Sequence, residues 1–148
     1  MNRPDLKSLA EVLAEFLALL RSEQQALLQN KFADLIAIAQ EKLVKSARVD
    51  QTLLALNQQV IETGLGTDIP NWINKAPDSP EAKQWLDIES MAREAKALNL
   101  SNGHLINTRS EVNSLLIKTL QDQVSVSQGY DSQGKKTSFL GRLPIDKA

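Results

Sequence analysis

The chain has 148 residues, a formal net charge of −1 and no cysteine. That length suits one domain, and the missing cysteines exclude a disulfide framework and thiolate chemistry. Near-neutrality offers no strong field toward nucleic acid or an anionic membrane. Six aromatics stand among many Leu, Ala, Ile and Val residues, a mixture that suits helix-on-helix packing.

The first predicted element is a helix over about 4–29. Pro4 fits a first turn, and Asp5 suits the positive end of a helix dipole. Leu6, Leu9, Leu13, Phe16, Leu20 and Leu27 follow steps of three and four, the seam of a packed helix, with Glu23 standing where an apolar residue belongs. Val12, Leu17, Leu19 and Leu28 widen the apolar surface, so this helix is expected to touch two neighbours. Asn30 suits a left-handed hinge. A second helix over about 31–63 carries Leu35, Ala39, Val49, Leu53, Leu56 and Val60 on its seam, with Lys42 and Ser46 in two of its places. Phe32, Ile36, Leu43, Ala47, Leu54 and Ile61 form a second stripe. The short connection makes the two helices antiparallel neighbours.

Gly64, Gly66, Pro70, Pro77 and Pro80 gather the helix breakers around a connector over 64–79. One helical turn is expected at Asn71–Lys75, with Trp72 sealing the loop. Ser79 as cap, Pro80 in first position and Glu81 in the first turn then start a long helix over about 80–126, with Gly103 as a possible bend. Ile88, Met91, Ala95, Leu98, Leu105, Val112, Leu116 and Thr119 keep the spacing; Asn102 and Arg109 interrupt it. The expected architecture is all-α: three long antiparallel helices forming a bundle over 1–128, then a flexible tail over 129–148. The tail has four basic and two acidic residues, so it carries +2 and the remainder −3. Phe139, Leu140, Leu143 and Ile145 make it more apolar than a solvating tail requires.

No catalytic arrangement is expected. The single histidine, His104, has no cysteine or second histidine to join it, which leaves no His- or Cys-rich metal site. No phosphate-binding or dinucleotide-binding turn is present, and no cofactor is implied. The N-terminal stretch lacks a signal-peptide core, since Asp5, Lys7 and Glu11 interrupt it, and no apolar run approaches a membrane span of ~20 residues. A cytoplasmic location is expected. The polar residues near the seams, Glu23, Lys42, Asn99, Asn102 and Arg109, are expected to meet in a partial network that fixes helix register, because buried polar groups cost free energy unless paired.

From Ala97 onward ALNLSNGHLINTRSEVNSLLIKTL, then Tyr130-Asp131 and Gly134, resembles the C-terminal signature of the FlgN family of flagellar type III export chaperones. The matching features are the Asn99…Asn102-Gly103 spacing, the Leu105-Ile106 pair and the Tyr-Asp-x-x-Gly motif. More loosely, Leu20, Glu23, Leu27, Leu28, Asp34, Leu35, Lys42 and Leu43 resemble its pattern of a Glu in helix one and a Lys in helix two. The resemblance implies binding of the hook-associated proteins FlgK and FlgL through the C-terminal part, and docking of Tyr130 to the export gate protein FlhA. Independently, a long helix with apolar residues three or four apart can seat a partner helix. Val112, Leu115, Leu116, Leu120 and Val124 are the candidate anchors on the helix, some of them expected in the core, with Phe139, Leu140 and Leu143 beyond. The alternative is a coiled-coil scaffold that homodimerises through its long helices; a nucleic-acid-binding protein is disfavoured by the −3 body.

Overall fold

The computed structural model describes residues 3–124, and of Val112, Gln123 and Val124 only the backbone. Asp5 opens α1 (Leu6–Leu28): its carboxylate accepts from the Lys7 N–H at 3.0 Å, satisfying a donor that the first turn leaves without a partner. Pro4, expected inside the first turn, lies just before the cap. The six seam residues of α1 are at most 2% exposed, and Leu17, Leu19 and Ala26 are buried beside them. Leu28 is 57% exposed, so the apolar surface does not extend around the helix on that side.

The chain reverses at Asn30, whose φ of 58° is left-handed. Lys31 N–H donates to Ala26 O at 2.9 Å and Asn30 N–H to Leu27 O at 3.4 Å, the paired bonds of a Schellman stop. The second helix, α2 (Phe32–Glu62), ends the same way at Gly64, with φ 72° and Leu65 N–H donating to Val60 O at 3.0 Å. Only one face of α2 is buried: Ile38, Val49, Leu53, Leu56 and Val60. Ile38 takes the inward place expected of Ala39, which is exposed. The large residues of the second stripe, Phe32, Ile36, Leu43, Leu54 and Ile61, are all more than half exposed.

A short helix, α3 (Ile69–Asn74), lies two residues earlier than the expected turn. Asp68 caps it through the Asn71 N–H at 2.8 Å, and Ile69 N–H donates to Asn57 Oδ1 on α2 at 2.9 Å. Ile69, Trp72 and Ile73 are thereby driven into the core, with the Arg3 guanidinium over the Trp72 ring. Gly66 permits this approach, since a Cβ there would stand 2.6 Å from Asn71 Oδ1 and 3.0 Å from Trp72 N. Ser79 then caps α4 (Pro80–Val124) by accepting from Ala82 N–H at 3.1 Å. α4 continues unbroken through Gly103.

α1 is the central element. It packs on α2 and on α4, while no Cα of α2 comes within 8 Å of α4; α3 bridges the two flanking helices at the connector end. The main core joins α1, the lower half of α2, α3, and α4 from Ala82 to Ala95, with Leu98 half-buried against it. A second, smaller cluster near the turn consists of Leu19, Ala26 and Ile38, with Leu35 against it, and includes no α4 residue. Neither apolar cluster takes an α4 residue beyond Leu98, although the three-four pattern continues in the sequence and Leu105 is half-buried. Among the described residues no helix is long and apolar enough to cross a membrane.

Candidate functional site

Where α4 leaves the main apolar core, a polar cluster begins. Glu23, 4% exposed on α1, receives both its neighbours there. Lys42 Nζ, on α2, donates to each carboxylate oxygen of Glu23 at 3.2 Å and to Asn99 Oδ1 on α4 at 2.9 Å. Asn102 Nδ2 donates to Glu23 Oε1 and to the Leu20 carbonyl, both at 2.9 Å. Four side chains from three helices therefore share one set of bonds. Lys42 is the link between α2 and α4, whose backbones do not meet.

The orientation of the Asn102 amide is fixed by its partners. Both groups facing its nitrogen are acceptors, so a flipped amide would set oxygen against oxygen twice. The consequence is a buried Oδ1 without a hydrogen-bond partner in a residue that is 0% exposed. An unsatisfied buried acceptor costs about 1–3 kcal/mol.

Arg109 does not join this cluster. It donates from Nη1 to Asn30 Oδ1 at the hairpin turn, about two helical turns farther along α4. Ser110, next to it, is the last buried residue among those described. From there α4 runs on past the turn for 14 residues, roughly 21 Å. Leu115, Leu116 and Leu120 on this extension are 66%, 57% and 59% exposed. Leu116, which the sequence allows as core, is therefore surface. Leu115 and Leu120, expected as anchors, are likewise on the surface. The Val124 side chain, Tyr130, Phe139, Leu140 and Leu143 lie outside the described residues.

His104 is exposed, and no cluster of three or more His, Asp or Glu side chains is placed to hold a metal ion among the described residues. The grooves on the molecule are open and of mixed polarity; the one between α1 and α4 encloses about 490 Å³ between Arg21, Gln25, Glu94, Leu98 and Ser101. What the structure presents is a helix end with apolar side chains in solvent, carried on a bundle braced by buried polar bonds.

The sequence profile described as FlgN protein matches residues 5–138. The chain belongs to the FlgN family. The match spans α1, the brace, the connector and the α4 extension in one stretch, so the hairpin and the uncovered helix end belong to the same family unit. FlgN proteins are chaperones of flagellar export rather than enzymes, and as a family they bind hook-associated proteins. No curated protein and no solved structure matches the chain.

Proposed function

We propose that this FlgN protein binds the hook-associated proteins FlgK and FlgL in the cytoplasm and delivers them to the flagellar export apparatus through the gate protein FlhA. The observation that carries the binding half is the α4 extension. Leu116 and Leu120 are four residues apart and share a face, and Leu115 adjoins them, the spacing with which one amphipathic helix grips another. Three large apolar residues on a projecting helix have no structural use in the described molecule, which supports a partner that covers them. Val124, Phe139, Leu140 and Leu143 extend the proposed binding segment, and Tyr130 is assigned to FlhA.

Calorimetry with the last ~40 residues of FlgK or FlgL tests this. Binding at micromolar concentrations is expected, with Leu115→Ala/Leu120→Ala weakening it at least tenfold while melting is unchanged. Truncating a well-buried interface anchor costs about 2 kcal/mol or more, hence the size of the effect. Tyr130→Ala should leave cargo binding intact and remove binding to the FlhA cytoplasmic domain. No heat with either cargo would overturn the reading. The scaffold reading has one observation in its favour, the exposed α2 stripe from Phe32 to Ile61. Sedimentation decides it: a stable homodimer with no cargo binding would replace the chaperone reading.

A further inference from the structure

The two halves of α4 are held in different ways. From Ala82 to Leu98 the helix is seated by apolar burial: Ala82, Trp85, Ile88, Ala92 and Ala95 are each at most 5% exposed within the main core. Beyond Leu98, polar bonds tie the helix to the hairpin: Asn99 to Lys42, Asn102 to Leu20 O and Glu23, and Arg109 to Asn30. Polar contacts exchange readily for water, at a net value near 1 kcal/mol each, whereas buried Leu or Ile side chains do not. Two further features lower the cost of parting at this place. The orphaned Asn102 Oδ1 regains a partner once water reaches it. Gly103, next in sequence, weakens a helix interior by about 1 kcal/mol relative to Ala. Nothing in the packing requires that glycine, for a Cβ there meets no atom within 4 Å and its φ is not left-handed.

We infer that α4 beyond Leu98 is a hinged arm, softened at Gly103, latched to the hairpin by Asn99–Lys42, Asn102–Glu23 and Arg109–Asn30, and released when the cargo helix binds. Beside the latch Leu27 is 1% exposed and belongs to neither apolar cluster, whereas Leu20, whose carbonyl Asn102 holds, stays within the main core. Release uncovers this α1 face. The cargo helix then occupies a cleft between the α1 face and Leu115, Leu116 and Leu120 of the arm, burying more apolar surface than the extension alone offers. Glu23 and Lys42 remain bonded to each other in the open state, so no charge is stranded. This inference rests on the chaperone reading for the identity of the occupant and on the geometry alone for the hinge.

The experiment uses the full chain, whose lack of cysteine lets two labels be placed cleanly. Spin labels at Lys31→Cys and Lys118→Cys, both exposed, report the distance from the turn to the arm. Addition of the FlgK C-terminal segment is expected to lengthen that distance by about 10 Å or more. Gly103→Ala should raise the melting temperature, slow amide exchange of residues 103–124 and weaken cargo binding about three- to tenfold, because closing is favoured over opening. Cargo bound at full occupancy with an unchanged label distance would overturn the hinge. If no cargo binds, the chaperone reading fails and exchange judges the hinge separately. Amides of 103–110 exchanging at least tenfold faster than those of 85–98 support it, and a single common rate overturns it.

Discussion

Asn102 concentrates the most structural consequence in one side chain. Its amide nitrogen serves two acceptors from α1, and its oxygen serves none. Substitution by Asp keeps the shape and removes the donor. It would place a second carboxyl against Glu23 and against the Leu20 carbonyl, repulsive on both sides. Asn102→Asp should therefore cost about 3 kcal/mol or more at neutral pH, the scale of an uncompensated buried charge. Like charge and burial both raise the folded-state pKa of the new carboxyl above its unfolded value. The penalty is then full above the raised folded-state pKa and shrinks as pH falls from there toward the ordinary carboxylate range and the pair takes up a proton. Thermal melts of both forms at neutral and mildly acidic pH would show the gap narrowing; a constant gap would deny the contact with Glu23. That these residues meet is legible in the sequence, since Glu23, Lys42 and Asn102 break an otherwise apolar seam. That Arg109 instead reaches Asn30 is not legible, because the turn's left-handed geometry sets where that acceptor points.

At the scale of a helix, α2 shows how far periodicity reads. Its sequence carries two apolar stripes, and each has the spacing of a packed face. The structure buries one and leaves the other in water, because α2 packs on α1 and, at its connector end, on α3, while no Cα of α4 comes within 8 Å of it. The choice lies in the partners available, which no stripe can declare by itself. The adjacent pair Leu53 and Leu54 makes the difference measurable: 8% exposed against 72%. Leu53→Ala should cost about 2–5 kcal/mol through lost burial and the cavity left behind. Leu54→Gln should lie within about 0.5 kcal/mol, as surface changes do. Chemical denaturation of the two variants checks both; a loss above about 1.5 kcal/mol at Leu54 would mean that a partner covers this face in solution. The caps were the most legible features. Ser79, Asn30 and Gly64 stop or start helices by local chemistry that needs no tertiary knowledge.

Across the described molecule, the buried apolar side chains of α4 occupy only part of its length. The core lies between Leu6 and Ala95, the polar bonds brace it as far as Arg109, and no described residue after Ser110 is buried. In the sequence the α4 extension still shows a core-like three-four pattern, since a helix built to grip a partner needs the same spacing as one built to pack. Only the length of the hairpin, which ends at Asn30, separates the two uses. A chain ended after Ser110 should therefore keep its fold. Its melting temperature is expected within a few degrees of the full chain, since no described side chain after Ser110 is buried, while ellipticity falls only by the helix taken away. Cargo binding should disappear, because Leu115, Leu116 and Leu120 go with it. The opposite outcome is equally readable. A collapse in melting would show that the extension folds against the bundle in solution. Cargo binding that survives the cut would move the site onto the hairpin, where the open stripe of α2 is the surface left to provide it.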